Sequence, residues 1–387
     1  MINKILLSII FINFGIQNLF ATTNFESYKD FKNFELDAKN QAIIGKLSKF
    51  DTIRVKSEND YLLKESINTK NEYYYNLAQI NYADYYFFKG DLNAIIKLYD
   101  ENINQPKTKH LLSYILLLSK YYHIFYNYGA DKECHFILSQ IKHLKDNLPH
   151  KEKLYATAIY NTYNGLIEDD NNKFELKKNL LLDAIKIIEF LKDDLSAYEY
   201  KVRLSNAYNH LGICYTNNWS INSENEIDYN KSELEHAASL FRKAIRINND
   251  SNYFFASVFK SNLSFVNNIL GVAEDAIYYG TRSMFLSSKI KNKCILFRRS
   301  ACNIADTYML NNLTNTVSYK DSKKICEECN EIYKKDKAFV TQKIEKINHP
   351  VVINYDKDII SGTTWIGIVI GIALLLSSFL VYKKIKK

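Results

Sequence analysis

Apolar side chains recur at intervals of three and four along most of the chain and rarely at two, so the pattern predicts helices rather than strands. Phe25, Tyr28, Phe31 and Phe34, continued by Ile43, Ile44 and Leu47 and then by Leu62 and Leu63, mark helix between 24 and 67. From 72 onward the helical stretches come in pairs punctuated by glycine or proline. The pair at 72–104 places Asn81, Ala83, Tyr86 and Gly90-Asp91 ahead of Ala94-Ile95 and ends before Pro106. A looser pair at 109–145 carries Tyr121, Tyr122, Phe125 and Gly129, then Cys134, Leu138 and Ile141, and stops before Pro149. At 151–191, Tyr155, Ile159 and Tyr163 face Leu181, Ile185 and Ile188.

The clearest copies lie between 209 and 287. One has Tyr208, Leu211, Gly212 and Tyr215, then Ala237, Phe241 and Ala244, with an Asn- and Ser-rich insertion at 216–230 between its helices. The other has Asn262-Leu263, Gly271 and Ala276-Ile277. A leucine that packs into the neighbouring helix, a glycine that turns the chain and a small alanine that lets the second helix approach are what a repeated helix pair requires. A last pair at 292–333 has Asn303-Ile304-Ala305 and Tyr308, then Ile325 and Ile332, and a final helix is expected at 338–347.

Within each helix these offsets resemble the tetratricopeptide-repeat pattern of W-x2-L-G-x2-Y followed by A-x3-F, over about 72–336. The resemblance implies an all-α fold, an α-solenoid with a helical cap at 22–70 and a repeat domain at 71–347. It further implies a protein or peptide partner in the concave groove, lined by the first helix of each pair. Placed on those helices, Asn209, Asn262, Arg299, Asn303 and Asp306 are the groove candidates. The layout also resembles the sensor part of tetratricopeptide-containing bacterial regulators. An alternative expectation is therefore a receptor whose output module is absent or supplied by a partner.

The two ends add an expected location. Lys4, the apolar run at 5–16 and Ala21 resemble a secretory leader at 1–21. After a linker at 348–364, residues 365–382 form 18 positions without a charge, bracketed by Trp365 and Tyr382. That is about 27 Å of helix, close to the hydrocarbon thickness of a bilayer. Lysines crowd the tail at 383–387, which the positive-inside rule keeps in the cytoplasm. The expectation is a single-pass protein of a bacterial inner membrane with its repeat domain in the periplasm. Gly367 and Gly371, spaced as G-x-x-x-G, are candidates for packing two such helices into a homodimer.

Composition and charge narrow the function further. The net charge of +8 includes four lysines in the last five residues, so no basic stripe remains for nucleic acid. Six cysteines stand at 134, 214, 294, 302, 326 and 329. Cys326 and Cys329 have the spacing of a redox or metal half-site, but they sit in a helical run without a second such pair. They read as ordinary helix positions, open to oxidation in an exported protein, with no connectivity legible. His135 beside Cys134 reads as packing. With no nucleophile elbow, phosphate loop or metalloprotease helix, the expectation is no enzyme, no cofactor and no metal.

Overall fold

A computed structural model describes residues 25, 33–167, 173–217, 219–221 and 227–349, all within the unit Met1–Pro350. Eight of the described helices begin where the sequence offers a side-chain acceptor to an orphan backbone N–H. Asn33 caps α1 (Phe34–Leu47) by accepting from the amides of Glu35 and Leu36 at 3.0 and 3.1 Å. After α2 (Val55–Asn68), Asn71 caps α3 (Glu72–Lys89) and Asp91 caps α4 (Leu92–Asn104). Next come α5 (Leu111–Asn127), α6 (Asp131–Lys145), α7 (His150–Ile167) and α8 (Phe174–Phe190). Ser196 caps α9 (Ala197–Thr216), Asn230 caps α10 (Lys231–Asn248) and Asn252 caps α11 (Tyr253–Ile269). The series closes with α12 (Ala273–Ser287), α13 (Cys294–Leu310) and α14 (Val317–Ile344). Gly90, Gly129 and Gly271 end α3, α5 and α11 with φ of +72°, +63° and +75°, a conformation that a Cβ would penalise.

Successive helices pack on one another, α4 meeting α5 through the Tyr99 ring against Tyr121 and Phe125, and the odd-numbered helices from α1 to α13 also pack on one another in succession. This two-layer stacking is consistent with an α-solenoid. α5 is buried along most of its length, from Leu111 and Leu112 through Tyr121, Tyr122 and Phe125, because neighbours cover it on several sides. α4 and α10 bury one apolar stripe and leave charged residues outside.

The array also returns to its own beginning. The Tyr253 amide donates to the Ser48 carbonyl at 2.8 Å, and the Lys291 amide donates to the Phe88 carbonyl at 3.1 Å. Asn292 donates from Nδ2 to the Tyr128 hydroxyl at 2.7 Å and to the Phe87 carbonyl at 3.3 Å. Phe254 packs edge-on against Phe87, with ring centroids 5.5 Å apart. α14 lies against α4, and past its end His349 places Nε2 2.8 and 2.9 Å from the two carboxylate oxygens of the buried Glu133. We call this line of contacts the seam.

Close helix approach makes one glycine decisive. A Cβ on Gly212, inside α9, would lie 2.6 Å from the Phe241 ring, which is itself buried in α10. Helix propensity alone would make Gly212→Ala stabilising by about 1 kcal/mol. Forcing the ring from a filled core costs about 1–3 kcal/mol and prevails. The expected result is a urea midpoint below that of the unsubstituted chain; a higher midpoint would show that the ring moves aside freely.

Several expectations need correction. The fold-class expectation fails in its membrane-spanning part. No helix among the described residues is long and apolar enough to cross a membrane. The longest, α14, interleaves Lys, Asp and Glu through its length and exposes them. The inner-membrane, single-pass location is withdrawn with it. Residues 365–382, Gly367 and Gly371 lie outside the described residues, as do the leader at 1–21, most of the linker and the tail. The insertion at 216–230 holds an antiparallel hairpin, β1 (Trp219–Ile221) with β2 (Ile227–Tyr229), whose three-residue strands are too short to show a period of two. The second helix of the pair expected at 292–333 and the helix expected at 338–347 join into one α14, because the lysine-rich stretch between them contains neither a glycine nor a proline to interrupt it.

Candidate functional site

Stacking the odd helices brings polar residues from successive layers to a shared interior. α5, α7, α9, α11 and α13 surround a cavity of about 500 Å³, with Phe241 of α10 and Asn330 of α14 completing its wall. Carboxamides are the commonest group in its polar lining. Asn262 donates from Nδ2 to the Asn209 side chain at 2.9 Å, and Asn303 donates to the Ser261 carbonyl at 3.1 Å. These bonds link α9, α11 and α13. Apolar area comes from Tyr122, Tyr126, Tyr163, Phe241, Phe255 and Phe265. Four of the groove candidates, Asn209, Asn262, Arg299 and Asn303, line this cavity; Asp306 is exposed and does not.

A second cavity of about 140 Å³ adjoins it and shares His123, Tyr163 and Phe255. Its charges are already matched. Lys120 bridges both Asp84 oxygens at 2.9 and 2.8 Å. Arg203 donates to Glu199 at 2.8 Å, and the Tyr155 hydroxyl bonds the same carboxylate. Burial works against ionisation of Glu199, but Arg203, the Tyr155 hydrogen bond and Lys120 hold its pKa below the ordinary glutamate value.

Two histidines line the larger cavity, His123 also lining the second, and both are neutral at pH 7. Burial, reinforced by the positive charges of Lys120 and Arg203, holds His123 well below the ordinary histidine value. Burial pushes His210 down to about 4, against the opposing effect of its Nδ1–H donating to the Thr162 carbonyl at 3.2 Å. His123 Nε2 is buried without a hydrogen-bond partner.

The arginines differ from the other charges around the interior. Arg298 and Arg299 both line the larger cavity, and neither forms an ion pair with a described residue. Arg298 lies 3.5 Å over the Tyr333 ring centroid, and its Nε is buried with no acceptor. Burial first, then repulsion from Arg299, lowers its pKa, which leaves it charged at any ordinary pH. Ser261, 4% exposed, likewise has a hydroxyl without a partner. A narrow recess of about 10 Å³ joins Ser261, Arg298 and Arg299 to Asn127, Asn262 and Val258.

The cysteine reading also changes. Cys294 is bonded to Cys329 and Cys302 to Cys326, so both residues of the closely spaced pair reach back to α13 instead of to each other. Cys302 is part of the cavity wall, and Asn330 donates to the Cys302 and Cys326 sulfurs, both at 3.5 Å. Cys134 and Cys214 are free and buried; burial raises the thiol of Cys214 to about 11. The disulfides left a trace in the sequence: Cys294 and Cys302 are eight apart and Cys326 and Cys329 three apart, so each pair shares a face of neighbouring antiparallel helices. Arg298, Ser261 and His123 left none, since each is defined by what it meets across the interior. No family model matches the chain, and no curated protein matches it.

Proposed function

We propose that the protein is a non-catalytic binding module, a tetratricopeptide-like adaptor that takes a short peptide segment of a partner into the interior face of its stacked helices. The observation that carries this reading is the convergence of Asn209, Asn262, Arg299 and Asn303 on one cavity of about 500 Å³. Carboxamides both donate and accept, which suits the alternating amides and carbonyls of an extended backbone, and the aromatic belt offers area for its side chains. That volume falls within the range of small-ligand sites and below what a folded partner would need. The ionisable groups of the adjoining cavity are engaged with each other, and the histidines are neutral, which favours holding a ligand over transforming it. Disulfides persist in oxidising compartments, and the two here fit a chain that works in one.

In-cell cross-linking, purification of the tagged full-length chain and mass spectrometry test the proposal. A reproducible partner is expected, with recovery reduced about tenfold in Asn262→Ala/Asn303→Ala, the scale of one or two lost hydrogen bonds. Circular dichroism should show an unchanged helical spectrum for the variant. Equal recovery with both proteins would remove the cavity from the binding reading.

A further inference from the structure

The larger cavity has a sign. Arg298 and Arg299 are its charged lining residues, no carboxylate lines it, and both of its histidines are neutral. Elsewhere around the interior positive charge is answered within the fold, as Lys120 is by Asp84 and Arg203 by Glu199. Arg298 is instead held by the face of Tyr333, which orients a guanidinium without neutralising it. Its Nε–H points to no acceptor, and the Ser261 hydroxyl in the same recess has none either. Leaving buried donors unmade is unfavourable, and the group that answers two donors and a positive charge together is an anionic oxygen. A recess of about 10 Å³ admits one oxygen-sized group.

We infer that the peptide taken by this cavity carries a carboxylate, which seats in the recess between Arg298 and Ser261 with Arg299 at its edge. This rests on the peptide-binding reading and adds its selectivity. The carboxylate enters the recess with one oxygen accepting from Arg298 Nε and Ser261 Oγ, while the rest of the segment lies along Asn262, Asn209 and the aromatic belt. The neutral His123, with its free Nε2, stands in the cavity wall as a polar contact that adds no charge. Either an Asp or Glu side chain or a peptide's terminal carboxylate supplies this chemistry.

Two synthetic random nonapeptide libraries, one with free C-terminal carboxylates and one with C-terminal carboxamides, separate the sources when selected against the full-length oxidised protein. Binders rich in Asp or Glu from both libraries would place a side-chain carboxylate in the recess. Binders confined to the free-acid library would place the terminal one there. In either case Arg298→Gln should weaken the selected peptides by about 10- to 100-fold, as expected for a charge-assisted bond. Ser261→Ala, which leaves the Arg298–Tyr333 stack in place, should weaken them by a smaller factor. Melting curves of both variants check that the fold survives. Binders with no excess of acid and no dependence on either library, or binders indifferent to both substitutions, would overturn the carboxylate inference and leave peptide binding standing. No binders from either library would overturn the peptide reading itself and this inference with it.

Discussion

Replacing Cys294, Cys302, Cys326 and Cys329 together by serine is expected to lower the melting temperature by about 6 °C, the scale of ~5 kcal/mol at ~0.8 kcal/mol per degree for a chain of this size. The bonds close loops with sequence separations of 35 and 24. Chain entropy values each closure at ~3.5 kcal/mol, but the second loop lies inside the first, so the two do not add in full. Their location concentrates the effect. α13 supplies Asn303, Arg298 and Arg299 to the cavity, while α14 holds Tyr333 under Arg298. Loosening α14 from α13 therefore degrades the interior before the rest of the array yields. Calorimetry of the oxidised protein, the reduced protein and the quadruple variant checks the magnitude. Limited proteolysis should show new cutting at 311–316, between the two helices. Melting temperatures agreeing within about 2 °C would mean that packing alone holds the two helices together.

Acidification is expected to destabilise the fold as well, through the two interior histidines. In the unfolded chain each titrates near 6.5; in the folded protein His210 is held at about 4 and His123 well below its ordinary value. Above pH 6.5 neither state binds these protons and stability is unaffected. As pH falls below 6.5 the unfolded chain takes up two protons that the folded chain refuses, so stability falls by up to ~1.4 kcal/mol per pH unit for each histidine. For His210 the loss is about 2 kcal/mol at pH 5 relative to pH 7.5, and His123 adds to it in the same direction. The surroundings give no relief: His123 faces Lys120, Arg203 and the rings of Phe254 and Phe255, while His210 faces the Thr162 carbonyl and Tyr163. Carboxylates held low by ion pairs, such as Glu199, weaken the fold only in a separate, more acidic window. Urea midpoints at pH 7.5 and 5.0 measure the slope, and His210→Gln should make it shallower. A midpoint that does not move between these pH values would mean that one or both histidines accept protons in the folded state.

The helical architecture was legible because its determinants are local. Cap residues, the turn glycines and the three-and-four spacing of buried Tyr, Phe, Leu and Ile all act within a few residues of one another. The inner face was legible in part for the same reason. Asn209, Asn262 and Asn303 occupy first helices at corresponding turns, and stacking first helices brings such positions together. Asp306 has the right helix and the wrong angle: three residues beyond Asn303, it turns out to solvent. Features set by distant meetings were not legible. Arg298 is a surface-type residue until Tyr333 lies beneath it, and His123 is one polar residue in an apolar stretch until α11 brings Phe254 and Phe255 against it. The seam is the extreme case. Ser48, Phe87, Phe88 and Tyr128 carry no mark of partners more than a hundred residues further along.

That seam alters how the molecule acquires its structure. In an open array each unit answers only to its neighbours, so folding starts anywhere, spreads step by step, and the ends fray independently. Here Asn292 is tied to Phe87 across 205 positions and Tyr253 to Ser48 across a comparable span. Such contacts demand the entropy of a very long loop before returning any stabilisation, which places them late on the folding path and slows its final step. Once made, they join the first helices to the last, so amide exchange near the seam reports on the opening of the whole structure instead of on local breathing.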